Sequence, residues 1–567
     1  MKIERKRIIN KCLQFFSAGL FCSVFFISCI KTVDDKTLSI YNPATFTFYN
    51  GDLYTYLPFT DPVAKEITAR TGITLELTPC RSSTTQEIPM MIASGRYQDF
   101  IYAKSGVSDL IEAGALIALD DWVSPEGEHV NLIEEYGKNF KALYGDEIVK
   151  LMHSDGHIYT FGTYEIKKAI NETTGVMQIQ HAVLKELGYP RMRTLDDFAD
   201  ALRAYKKKHP TIDGKKTIGL SLLTDDWYWY VGLSNPGNYT IGYPDDGQWI
   251  VDKNTHKAEY KFLNQEMSQF YKWLNGLYNE GLLDPESFTQ NEDMWKSKIL
   301  SGTVLSIASP DWGFTDLCKS LVADGMSERT YAYLPIVADA EKYKDPSLTD
   351  YGYSGGWGIS ISKSCKNVVL AFKFIDWMCS EEAQILTNWG IEGVNYAVQN
   401  GSRVVPEDEQ QKINSDPDYS RKTGVELWTY PFPECGSGAK DKNGDWMTRN
   451  FTERIISSYL PVEKETLAAY GAKKWTDLFP QSDELYKPLH GQIWQYQLPK
   501  EINAIVDEAD EYVRKALISC IINPPEEFDE RWEKMVATLR ERGVEKAGEK
   551  LSEIIHEKLE FWYKGRY

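Results

Sequence analysis

Two stretches of the chain put large aromatic side chains where core packing does not require them. Asp225-Asp-Trp-Tyr-Trp-Tyr230 follows an apolar run at 217–223. In Ser306-Ile-Ala-Ser-Pro-Asp-Trp-Gly-Phe314, a second apolar run stops at Ser-Pro and an indole follows at once. Trp227, Tyr228, Trp229 and Trp312 are therefore expected in loops at strand ends. An indole or phenol offers a flat apolar face and a polar tip, which suits a half-wet groove better than a dry core. Tyr353 and Trp357 belong to a third stretch of this kind. Each has a packing alternative. Trp312 also fits as a wedge between helices, and at most two of residues 227–229 point the same way. Trp357 opens a strand that a helix would cover.

Polar candidates sit at strand ends too: Asn50, Asp52, Lys104 and Asp109. A carboxylate accepts from two donors, and an amide both donates and accepts, so these side chains suit a polar ligand. Asp52 is equally at home as a turn residue and Asp109 as a first-turn helix residue. Catalytic motifs are weak. Gly352-Tyr-Ser-Gly-Gly356 fits G-x-S-x-G, but a loop precedes it and a strand follows, the reverse of a nucleophile elbow. No H-E-x-x-H, Walker loop or dinucleotide fingerprint occurs. Asp441-Lys-Asn-Gly-Asp445 starts like a calcium loop, but Trp446 stands where glycine is required, so a turn is expected. No metal and no cofactor is expected.

The elements that carry these residues alternate. Residues 44–49 read as a strand ending at Asn50-Gly51-Asp52. Asp61-Pro62 opens a helix that Gly72 closes, and 73–77 is a strand again. A helix near 87–93, a strand at 100–103 and a helix from Ser108 to Gly114 follow. Thr194 caps a helix over 195–208, and 217–223, 303–308 and 357–362 read as strands. Strand–helix alternation implies parallel sheets wrapped by helices, with ligands outside the carboxyl ends of the strands. The last seventy or so residues are charged and helical.

At 567 residues the chain is too long for one core and suits two lobes. A net charge of −19 argues against a nucleic-acid partner. The N-terminus carries Lys2, Arg5, Lys6, Arg7 and Lys11 against Glu4, then an apolar run at 12–27 too short to span a bilayer. Phe26-Ile-Ser-Cys29 resembles a bacterial lipoprotein processing site, with Cys29 as the lipidated residue and Phe26 where leucine is usual. Residues 1–28 are thus expected to be a signal peptide and 29–37 a tether. Removing five positive charges and one negative charge takes −19 to −23. Six cysteines remain beyond Cys29, none in a CxxC pair, so zinc is not expected.

Four stretches carry a family resemblance. They are Arg96-Tyr-Gln-Asp-Phe-Ile-Tyr102 running on to Asp120; Leu184-Lys-Glu-Leu-Gly188 with Thr194-Leu-Asp-Asp-Phe198; Gly302-Thr-Val-Leu-Ser-Ile-Ala308 with Trp312; and Gly355-Gly-Trp-Gly-Ile-Ser-Ile-Ser-Lys363 with Ala371-Phe-Lys-Phe-Ile-Asp-Trp377 and Asn388-Trp-Gly-Ile-Glu-Gly393. In this order they resemble the extracellular solute-binding proteins of bacterial ABC importers, in the oligosaccharide-binding group. Gln98 departs from the family, which often has proline there. The resemblance implies an α/β, two-lobed periplasmic-binding-protein-like fold. Each lobe would be a mainly parallel sheet flanked by helices, with a hinge between lobes and a helix-rich C-terminal part. It implies lobe 1 at 38–160 plus 328–385 and lobe 2 at 161–327 plus 390–567. It further implies a carbohydrate held in the cleft, with Trp312 as the stacking tryptophan. The partners would be ABC permease subunits in the membrane, and the protein a lipid-anchored monomer facing the extracellular or periplasmic side. The alternative is a surface-attached glycoside hydrolase, whose two carboxylates must stand about 5–9.5 Å apart.

Overall fold

The computed structural model describes residues 43–496 and 498–564. The expected signal peptide, tether and Cys29 lie outside the described residues.

The first sheet is built from β1 (Ala44–Asn50), β2 (Ile73–Pro79), β3 (Phe100–Tyr102), β4 (Thr160–Phe161) and a strand that returns much later, Ile359–Ile361, in the order β2-β1-β3-(359–361)-β4. β1 pairs in parallel with β2 and β3, putting Phe48 opposite Phe100. Alternation along β1 sends Phe46 and Phe48 to one face, where both meet Phe100 edge-on at 5.3 and 6.1 Å between ring centroids. The helix Val368–Met378 covers this face with Phe374. The first helix forms as its sequence requires: the Asp61 side chain accepts from Ala64 N–H at 2.9 Å, Pro62 holds the first position, and Gly72 ends it at φ +74.

The second sheet contains β5 (Gln178–Gln180), β6 (Ile218–Ser221), β7 (Val304–Ile307) and β8 (Tyr331–Tyr333), in the order β6-β7-β5-β8. Thr194 caps Leu195–Lys208 in a capping box with Asp197, as the sequence predicts. The sheets combine the expected parallel pairs, β1 with β2 and β3 and β6 with β7, with antiparallel ones. Residues 359–361 run against β3 and β4, and β5 runs against β7 and β8. The physical reason is the crossing path. A strand that arrives from the other lobe enters the sheet from the opposite end.

Each sheet has its own core, one around Phe48, Phe100 and Phe374, the other around Phe262, Leu274 and Val513. The packing moves two of the expected lobe boundaries. Residues 331–333 were expected in lobe 1 but extend the second sheet, because Ala332 pairs with Ile179 and Tyr331 donates its hydroxyl to Val304 O. Within 390–567, expected wholly in lobe 2, Tyr419, Val425, Trp428 and Phe432 are buried in the first core. The later helices Lys500–Ile522, Phe528–Glu541 and Val544–Tyr563 close the second core.

The Asp441–Asp445 turn is tied from inside the chain. The Arg403 guanidinium lies 2.6 Å from Asp441 Oδ2 and 3.0 Å from Asp445 Oδ2. Asp441 Oδ1 accepts from the backbone N–H groups of Asn443 and Asp445. Both carboxylates thus share one guanidinium, and Asp441 is further held by backbone donors.

One buried amide ends the helix Lys500–Ile522. Asn275 Nδ2 donates to the carbonyls of Cys520, Ile521 and Asn523 at 3.1, 2.9 and 2.7 Å. Asn275→Leu keeps the volume and removes the donor to the Cys520 and Ile521 carbonyls, while Asn523 O keeps Asn279 Nδ2 at 3.3 Å. It is expected to lower unfolding stability by about 1–3 kcal/mol, measured by urea titration of the second-lobe transition.

Candidate ligand-binding cleft

A cleft of about 1830 Å³ opens where strand ends of both sheets meet the C-terminal segments. Its second-lobe wall is aromatic. β7 runs out through Ser309-Pro310 into the short turn Asp311–Gly313. Phe314 turns back into the core, 1% exposed and edge-on to Tyr331 at 6.0 Å. Trp312, on the other side of that turn, is 58% exposed and lines the cleft. The Trp227 ring stacks on it at 5.6 Å and 28°, and Tyr228 stacks on Trp227 at 4.3 Å and 26°. Tyr228, Trp227 and Trp312 thus form one continuous shelf.

Trp229 is not part of that shelf. It is 4% exposed and packed in the second core, because a π-helical turn at Tyr230–Ser234 rotates it inward. Tyr353 is also corrected to the core. It is 5% exposed, edge-on to Tyr144, and its hydroxyl donates to Gly355 O at 2.8 Å. Asn50 is buried and holds the β1 turn by accepting from Asp52 N–H at 3.0 Å. Asp109 does not line the cleft. It occupies the first turn of its helix and pairs with Lys500 at 3.0 Å.

The first-lobe wall is polar and aromatic together. Lys104, at φ +54 just past β3, places its ammonium 2.7 Å from Asp52 Oδ1 and 5.0 Å from the Trp357 ring centroid. Asp52 Oδ2 accepts from the Tyr430 hydroxyl at 2.6 Å, and the Tyr430 and Tyr102 hydroxyls are hydrogen-bonded to each other. Asp52, Lys104 and Trp357 all line the cleft. Tyr430 and Trp494 complete this wall, and neither was singled out from the sequence. Trp494 lies edge-on to Trp357 at 5.0 Å and to Tyr164 at 5.9 Å. Its segment is hooked to the first lobe by Gln495 Oε1, which accepts from Ser354 Oγ at 3.0 Å and Gly356 N at 3.1 Å. The indole N–H groups of Trp357 and Trp494 are buried without a partner among the described residues. An unmade hydrogen bond of this kind is costly, and a ligand hydroxyl or a water would satisfy it.

Acidic groups flank the shelf. Burial, helped by the charge of Asp311, pushes the Glu172 carboxyl up to about 7. Asn450 Nδ2 donates to it at 2.9 Å. The spaces between these groups suit a flat ligand with many hydroxyls, held by rings on one side and by fixed donors and acceptors on the other.

Known proteins share this architecture. The family described as bacterial extracellular solute-binding protein matches residues 51–385. Lipoprotein LipO of Bacillus subtilis is 27% identical over 344 residues, covering 56% of this chain and 61% of LipO. The fructooligosaccharide ABC transporter substrate-binding protein FusA of Streptococcus pneumoniae is 26% identical over 361 residues, covering 59% of this chain and 61% of FusA. The chain therefore matches about three fifths of the length of these curated relatives. Among solved structures, the alginate-binding protein AlgQ2 superposes with a TM-score of 0.63 at 16% identity, covering 92% of this chain and all of AlgQ2. FusA from S. pneumoniae in complex with kestose gives 0.63 at 17%, covering 91% and 99%. At such identities the structures speak for the fold alone. With two α/β lobes, a cleft at their strand ends and a family match over more than half of its length, this chain belongs to the bacterial extracellular solute-binding proteins.

Proposed function

We propose that this protein is the receptor component of a bacterial ABC importer, capturing an oligosaccharide between its lobes and delivering it to a membrane permease. The observation that carries this reading is the aromatic shelf of Tyr228, Trp227 and Trp312, facing a wall of Trp357, Lys104 and Asp52 across one cleft. A sugar ring has a C–H face and a hydroxyl rim. The face covers an indole, and the rim meets carboxylates and indole N–H groups. FusA, a relative by sequence, is described as serving fructooligosaccharide transport, and LipO as a lipoprotein. The glycoside-hydrolase alternative gains no support from these relatives, and binding without turnover is the expected behaviour.

In this reading the lobes close on the ligand by hinge motion, and the permease recognises the closed form, in which both lobe surfaces are juxtaposed. Cys29 carries the lipid that keeps the receptor at the outer face of the membrane. The protein acts as a monomer and, with a full-chain net charge of −19 that becomes −23 once residues 1–28 are removed, without nucleic acid.

Trp312→Ala tests the shelf. At roughly 25 cal/mol per Å² of apolar surface covered, losing one ring face costs about 1.5–2 kcal/mol, tenfold or more in affinity. Titration calorimetry with an oligosaccharide that binds the unaltered protein is expected to show that loss with no change in thermal midpoint, because the ring is already exposed. Unaltered titration heats would remove Trp312 from the site, and release of cleaved sugar would turn the assignment toward an enzyme. Cys29→Ala tests the anchor. The substituted chain is expected to leave the membrane fraction and to lose incorporation of labelled fatty acid.

A further inference from the structure

We propose that the end of the cleft beside Trp312 is a carboxylate-binding subsite built by Arg449 and Arg454, and that the captured oligosaccharide carries a uronic-acid unit there. This deepens the receptor reading and rests on it.

Both arginines line the cleft. Arg449 is buried and forks onto Glu426, Nε to Oε1 at 3.1 Å and Nη2 to Oε2 at 2.6 Å. That pairing uses one edge of the guanidinium. Its Nη1 is buried without a partner among the described residues. Arg454 is less satisfied. Among the described residues no carboxylate lies within ion-pair distance of it, its Nη2 reaches only Gln410 Oε1 at 3.3 Å, and its buried Nε has no partner. Of the two guanidinium groups, only Arg449 has an ion-paired carboxylate. Burial, and next the charge of Arg449, lower the Arg454 pKa to about 10, which is the sign of a cation short of compensation.

The other charges nearby do not fill that gap. Glu172 acts electrostatically on Arg454, but with its own carboxyl pushed up to about 7 it carries only part of a negative charge at neutral pH. Asp311 and Glu165 face Glu172, and Lys319 and Arg454 face Glu426. A hydroxyl would accept one N–H from this cluster. A planar carboxylate accepts two at once and also neutralises the uncompensated charge, so it fits better. Glu172 feels both Asp311, the residue before Trp312, and Arg454, so the arginine pair and the aromatic shelf border the same part of the cleft.

The test uses the purified full chain and matched ligands. Short oligogalacturonides and oligomannuronates are titrated calorimetrically, alongside the same oligomers after carboxyl reduction to neutral sugars. The acidic form of at least one series is expected to bind about tenfold or more tightly than its reduced counterpart. Arg454→Gln is expected to erase that preference, and Arg454→Lys to keep part of it, with thermal midpoints near that of the unaltered protein. Should Arg454→Gln fail to fold, the acid-to-neutral ratio of the unaltered protein decides alone. Neutral oligomers binding as well as acidic ones, or a preference that survives Arg454→Gln, would overturn the subsite and leave the receptor reading standing. No binding of either form would likewise overturn the subsite, while the receptor reading is decided separately by the Trp312 titration with a neutral oligosaccharide.

Discussion

The Asp61 carboxylate makes two hydrogen bonds on which the cleft depends. One oxygen caps the first helix through Ala64 N–H, and the other accepts from the Trp428 indole N–H at 2.9 Å. The first bond is local and starts an element. The second pins a segment more than three hundred residues downstream against the first lobe. Space there is tight: a side chain at Gly424, which sits at φ +83, would collide with Asp61. Two residues beyond Trp428, Tyr430 reaches Asp52 and Tyr102. The polar wall of the cleft is therefore a consequence of where Asp61 holds the later chain.

The same logic applies at Gln495. Its side-chain oxygen takes two donors from the 354–356 loop, and the residue before it supplies the indole that meets Trp357. Ile493, on the other side of that indole, is buried in the second core. The segment thus spans both lobes, anchored in one by apolar packing and in the other by hydrogen bonds. Any relative movement of the lobes would have to pass through this segment.

These downstream contributions explain which parts of the site were legible in the sequence. Trp227, Tyr228 and Trp312 stand directly after apolar strands, and a strand end at a sheet edge is a place sequence periodicity can find. Caps at Asp61, Gly72 and Thr194 are short-range chemistry and were equally readable. Tyr430 lies in a turn and Trp494 in a single 3-10 turn, Ile493–Gln495, both too short to show a period, and only tertiary contacts bring them to the cleft. Trp229 and Tyr353 failed for the opposite reason. They look like their neighbours in sequence, and a π-turn in one case and a core aromatic, Tyr144, in the other draw them inside. The lobe boundaries shifted because β8 and residues 419–432 are assigned by pairing and burial, which composition does not reveal.

The aromatic shelf is held together by its own stacking contacts. Trp312 is held out because Phe314 is buried on the other side of one short turn. Trp227 leans on Trp312, and Tyr228 on Trp227, so each ring restrains the next. An exposed side chain that must order on binding loses rotamer entropy, about 0.5–1.5 kcal/mol each for the flexible ones. Rings already stacked lose less, so more of the surface they cover appears as affinity. Lys104 and Asp52 are restrained in the same way, each by the other and by Trp357 and Tyr430. Both walls are thus braced by contacts within the chain. In the receptor reading proposed above, a ligand that bridges the lobes would gain from both walls at once, which would couple capture to closure.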